Sequence, residues 1–137
     1  MVKAMVTEKT VDEAKAALLP KSVYVNKHSL QAARLAAGAA VDLASAVVRG
    51  EVQNGFALVR PPGHHASRDS VNGFCIFNNV VIAARHALDM LGVRRILIVD
   101  FDVHHGQGVQ RAFFEDPRDA IRCCREVFSR HYRTIKF

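Results

Sequence analysis

At 137 residues, half of them hydrophobic and 23% charged, the chain is one domain or part of one, with enough apolar material for a buried core. The net charge of +6 does not signal a nucleic-acid-binding face: residues 118–137 carry six Lys/Arg against two acids, the preceding 117 residues only 13 against 11, and no nucleic-acid-binding motif is present. Three cysteines give no disulfide framework, the apolar stretches are expected to be too short and Ala-rich to span a bilayer, and no secretory signal opens the sequence, so a cytoplasmic or nuclear location is the expectation.

In chain order, Thr10-Val-Asp-Glu13 has capping-box spacing, predicting a short helix that runs to Leu19 and stops at Pro20. Ser22 to Val25 reads as a small strand. Ser29 is expected to cap a long helix from about Leu30 to Arg49, whose residues Leu35, Ala39, Leu43, Ala46 and Val47 recur near helical spacing. Gly50 is its natural stop, and Gly38 inside it suggests close packing. A turn at Gln53-Asn54-Gly55 leads to a predicted strand, Phe56–Val59. A polar loop, Pro61–Asn72, follows. The apolar Gly73–Phe77 then leads through Asn78 and Asn79 into a helix of roughly Val80–Leu91, closed by Gly92. Ile96–Val99, β-branched at three of four positions, suits a strand buried on both faces of a parallel sheet. A short helical turn after Gln110 stops at Asp116-Pro117. Residues 118–137 form a basic tail with no long strand-like run, expected to be a terminal helix or an unstructured end. The order of elements is βαβ logic and predicts an α/β domain around a parallel sheet.

The chemistry gathers at two strand ends. Ile96–Val99 runs into Asp100, Asp102, His104 and His105, with Gly106 and Gly108 to turn the chain sharply; Phe56–Val59 runs into Arg60-Pro-Pro-Gly-His-His65. Side chains alternate along a strand, so Asp100, Asp102 and His104 share a face if it stays extended, and an Asp and a His two residues apart can reach one metal ion. Ligands in open α/β sheets sit at such carboxyl ends. One Asp-x-His alone is weak. Two strand ends, each with paired histidines, are hard to explain by packing, because buried imidazoles without partners are costly.

These segments, RPPGHHA, NGFCIFNNV and RRILIVDFDVHHGQGVQ, followed by DP, resemble the zinc-dependent histone deacetylases, most closely class II and the branch that includes tubulin deacetylases. The resemblance is best over residues 22–117, within a partial catalytic domain at 1–117, and residues 118–137 diverge from it. It implies a three-layer fold of the arginase and deacetylase type with a parallel sheet, here truncated on its C-terminal side. It implies hydrolysis of acetyl-lysine amides in histones or other proteins such as tubulin, with corepressors among the expected protein partners and neither nucleic acid nor membrane engaged directly.

The resemblance maps Asp102 and His104 to zinc ligands, His65 to the general base and then acid, and His64 to its electrostatic partner. Asp100 would orient His64, and Gln107 would orient His65 where some members have Asp. It also implies a potassium ion near the backbone of Asp100, Asp102 and His104. Gly73 and Phe74 would line the acetyl-lysine tunnel, with the Gly73 carbonyl accepting the substrate amide N–H. Phe101 stands where Trp is usual. His28, His86 and His105 are read as surface, satisfied or turn-forming histidines. The family's third zinc ligand, its oxyanion-binding Tyr and its second tunnel Phe lie downstream of Pro117, where this sequence does not match. Asp119, Glu126, His131, Tyr132, Cys123 and Cys124 therefore receive no role. Two alternatives stay open: an inactive fragment serving as an interaction module, and a deacetylase of polyamines or other small amides.

Overall fold

The computed structural model describes residues 23–116 and the backbone of 119–123. The helix expected over Thr10–Leu19 lies outside the described residues.

Helix α1 spans Ser29–Val48, within a residue of expectation. Its N-cap is His28 rather than Ser29. Asn26 organises the entry instead: its Oδ1 accepts the His28 N–H at 2.9 Å, and its own N–H donates to Ser29 Oγ at 2.8 Å. At the other end Gly50 N–H donates to Val47 O and Glu51 N–H to Ala46 O, with Gly50 at φ +73°. That is a Schellman closure, and the left-handed residue is the one without a Cβ. Gly38 is not a packing site: a Cβ there would meet nothing within 4 Å.

By length and composition α1 could cross a membrane, which corrects the expectation that no stretch is long enough. Its Leu30, Ala33, Ala36 and Ala37 are nonetheless buried in the domain, and the helix packs against α2.

Helix α2, Asn79–Met90, starts at Asn78, whose side chain accepts the Val81 N–H at 3.2 Å. Ala83, Ala84, Ala87 and Leu88 form its buried side. The Asn78 amide also donates to the Ala66 carbonyl at 3.0 Å, tying α2 to the loop that carries His64 and His65. Asn78→Ala removes a cap and leaves a buried carbonyl unpaired. The expected loss is about 1–3 kcal/mol, read as a lower urea midpoint at unchanged slope.

Strand β1, Ile96–Asp100, and strand β2, Asp119–Cys123, pair in parallel, with Ile96 opposite Asp119 and Asp100 opposite Cys123. Helix α3, Gln107–Phe113, joins them as a βαβ unit. Ile98, Ala84, Leu88, Val109 and Phe113 make one core cluster; Ala33, Val71 and Ile76 make another. Arg85 braces the first cluster. Its guanidinium lies 4.5 Å over the Phe113 ring, pairs with Asp116 and donates to the Ala112 carbonyl.

Four expectations about strands are corrected. Residues 23–25 form no strand. Nor does Phe56–Val59: Phe56 and Leu58 are 85% and 89% exposed, and no described strand lies beside them. A strand is a paired object, and apolar sequence without a partner edge does not make one. Among the described residues β1 is covered only on the face of Ile98, which packs with Ala84, Leu88, Val109 and Phe113, while Leu97 and Val99 face outward. Residues 119–123, read as part of a tail without strands, form β2, because β1 offers them a parallel edge.

Candidate active site

His64 and His65 occupy the two central positions of a tight turn closed by Ala66 N–H donating to Gly63 O at 3.0 Å. The turn follows a cis Arg60–Pro61 bond. It is pinned to the start of α3, where the N–H groups of Gly108 and Val109 both donate to the His64 carbonyl, at 3.0 and 3.3 Å. Those N–H groups are two of the orphan donors of the helix N-terminus, so docking the loop satisfies them. Gly106 and Gly108 were expected to serve a sharp turn. Gly108 instead permits close approach, since a Cβ there would stand 2.7 Å from the His64 carbonyl oxygen and overlap that of Ala66.

Each histidine has its own orienting partner. His64 Nδ1 donates to Asp100 Oδ2 at 2.8 Å, both side chains being largely buried. His65 Nδ1 donates to Gln107 Oε1 at 2.8 Å, and the Gln107 amide turns to the His65 carbonyl. With Nδ1 engaged as donor, each neutral ring keeps its lone pair at Nε2. The rings sit 4.0 Å apart between centroids.

β1 ends at Asp100, and the chain does not stay extended through His104 as the alternation argument required. Two side-chain-to-backbone turns replace the strand: Asp100 Oδ1 accepts the Asp102 N–H at 3.1 Å, and Asp102 Oδ1 accepts the His104 N–H at 2.7 Å. The second bond, reinforced by the His104 ring, holds the Asp102 carboxyl below the usual carboxylate range, so it stays ionised at neutral pH. His104 Nδ1 stands 3.0 Å from Asp102 Oδ1, and the His104 ring centroid is 6.0 Å from that of His65. The two histidine clusters thus face one another. His105 turns aside to Gln110, at 2.8 Å.

Asp102 and His104 suit zinc by donor type, and their spacing suits it too: ligands about 2.0–2.1 Å from a tetrahedral zinc stand roughly 3.3 Å apart. Among the described residues no third His, Cys, Asp or Glu joins them. Among the described residues the pair alone does not complete a metal site.

Gly73 and Phe74 form the central pair of a tight reverse turn between Asn72 and Cys75, with φ of +49° and +66°. A Cβ on Gly73 would overlap the His65 ring, so glycine is dictated by space as well as by φ. Phe74 adopts a left-handed backbone that aromatic residues rarely tolerate, and its ring is two-thirds exposed. The buried Cys75 thiol points at the Gly73 carbonyl, 3.2 Å away. Burial pushes the Cys75 thiol above its ordinary 9.0, so the folded state keeps its proton where an unfolded thiol loses it. Iodoacetamide is therefore expected to spare Cys75 in the native chain at pH 8 and label it after unfolding, as peptide mapping would reveal. This group's contribution to stability falls as pH rises through the unfolded thiol's value.

The histone deacetylase domain family matches residues 1–122. The chain belongs to that family. It is 62% identical over 96 residues to the rat protein named polyamine deacetylase HDAC10, covering 70% of this chain and 16% of that protein. It is 57% identical over 100 residues to Arabidopsis thaliana histone deacetylase 5, covering 71% and 15%. Over 115 residues it is 50% identical to histone deacetylase clr3 of Schizosaccharomyces pombe, covering 81% and 17%. The solved HDA15 HD domain superposes with a TM-score of 0.78 at 43% identity, over 89% of this chain and 34% of that one. These similarities support a partial, class II-like histone deacetylase. The chain spans about a sixth of the length of those curated relatives.

The sequence had not singled out Gly108 or Asn78 as positioning residues. The Asn-Asn pair before an apolar helical run is a readable capping signal. The approach of Gly108 to the 64–66 backbone leaves no sequence signal of its own.

Proposed function

We propose that this region carries the proton-transfer half of a zinc-dependent deacetylase site that hydrolyses acetyl-lysine amides in histones or other proteins such as tubulin. One observation carries the reading: the His65 ring, with its free Nε2, lies 6.0 Å from the His104 ring beside Asp102. Zinc held by Asp102, His104 and a further donor would polarise the acetyl carbonyl and acidify a water. His65 takes a proton at Nε2 as that water attacks, and returns it to the departing lysine amine. Gln107 fixes the ring for both steps. His64, held by Asp100, supplies a second imidazole at van der Waals distance and keeps the pair in register. The Gly73 carbonyl receives the substrate amide N–H, and the exposed Phe74 ring flanks the aliphatic lysine stem. A potassium ion near Asp100, Asp102 and His104, corepressor partners, and a nuclear or cytoplasmic location belong to the same reading.

A second reading, a deacetylase of polyamines or other small amides, is favoured by the name of the rat relative. A third, an inactive interaction module, is favoured by the incomplete donor set. Acetate release from acetylated histone peptide, tubulin peptide and acetylated polyamine, each with and without zinc, separates the three. Chelator-sensitive release from peptide supports the first, and release from polyamine alone the second. A folded chain that releases acetate from none supports the third.

A further inference from the structure

Asp102 and His104 sit on a short span, residues 101–104, whose members are all exposed. Among the described residues their side-chain hydrogen bonds stay within the span, so its position depends on how its two ends are held. The near end is Asp100, whose Oδ1 accepts the Asp102 N–H while Oδ2 accepts from His64 Nδ1. The far end is His105, which α3 holds twice. The His105 carbonyl accepts the Gln107 N–H at 3.0 Å, and the His105 ring donates from Nε2 to Gln110 Oε1 at 2.8 Å. Gly106 closes the span: a Cβ there would overlap Asp100 Oδ2 and stand 3.1 Å from His64 Nδ1. Gln107 and Gln110 are three residues apart on one helix, so they share a face of α3. One amide holds the His65 ring, and the other holds the ring of His105, the chain neighbour of His104. The 6.0 Å between the His65 and His104 rings is therefore set across α3.

We propose that Gln110 is a positioning residue: acting through His105, it fixes how closely the span bearing Asp102 and His104 approaches the His65 ring. A span released at His105 keeps its Asp100 anchor and its internal turns. The Asp102–His104 pair then survives, while its distance from His65 becomes variable. The chemical requirement at position 110 is an acceptor that reaches the His105 ring. Glutamate meets it; leucine, of similar size, does not. The bond also places the His105 proton at Nε2, whereas His64 and His65 carry theirs at Nδ1. The consequence for hydrolysis rests on the deacetylase reading, and the pinning itself does not.

The test compares the metal-free 137-residue chain with its Gln110→Leu and Gln110→Glu variants by NMR of the labelled histidine rings. The unmodified chain is expected to show an Nε2–H tautomer at His105 and a nuclear Overhauser cross-peak between the His65 and His104 rings. Gln110→Leu should lose both, while keeping the His64–His65 cross-peak and the circular dichroism. Gln110→Glu should restore both. A His65–His104 cross-peak indifferent to leucine, or missing from the unmodified chain, overturns the proposal. So does a glutamate variant that restores nothing, or loss of the His64–His65 cross-peak alongside, which marks a general structural role. Zinc chloride is then added. It should shift His104 and His65 together in the unmodified chain and His104 alone in Gln110→Leu; a shift of both in that variant overturns the proposal. Cross-peaks that follow residue 110 with no zinc response in any variant support the positioning role and count against the deacetylase reading alone.

Discussion

Gly108→Ala is expected to release the histidine loop and cost about 3 kcal/mol or more, the upper end for overpacking. The added methyl group would meet two backbone carbonyls, of Ala66 and His64, rather than flexible side-chain ends. Neither carbonyl can yield without moving the turn that holds His64 and His65. The two N–H donors of α3 that bond His64 O would lose their acceptor in the same displacement. Gly38→Ala is the matched control. It adds the same methyl group to the middle of α1, where nothing lies within 4 Å, and is expected to stabilise by about 1 kcal/mol from helix propensity. Opposite signs from one chemical change, measured by urea unfolding, would establish that the α3 start and the histidine loop form one unit.

The second large effect is chemical. His65→Ala is expected to slow acetyl-lysine hydrolysis by about 10²–10⁴-fold, the usual contribution of a positioned general acid–base, in any assembly containing this region that turns over. The ring removed is the one facing His104, so the loss should fall on kcat more than on KM. Gln107→Ala should lower kcat less, because it frees the His65 ring without removing it. If His65→Ala and His28→Ala, which lies at the far end of the described chain, cost the same, the general-base role is wrong.

Much of this arrangement is legible in sequence because it is local. Helical spacing and terminal glycines give α1 and α2, and an apolar run meeting acids and imidazoles gives β1 and the loop that carries Asp102 and His104. What escapes is set by distant partners. Phe56–Val59 has strand composition but no described strand beside it, while Asp119–Cys123, with Asp119 and Arg122 flanking a weak apolar centre, becomes a strand because β1 lies alongside. The same holds at the site. The doubled histidines and the Asp-x-His are visible as spacing, and their orienting partners come from the family resemblance. That the loop carrying them is clamped by Gly108 and Asn78 follows only from three-dimensional contact.

The proposed deacetylase chemistry requires the two histidine clusters to face a single cation position. Zinc titration of the chain labelled with 15N-histidine tests it most directly. With a shared cation, the His104 and His65 ring resonances move together from the first additions of zinc, and Asp102→Ala abolishes the response. Zinc that shifts His28 or His86 while leaving His104 and His65 unmoved would contradict it.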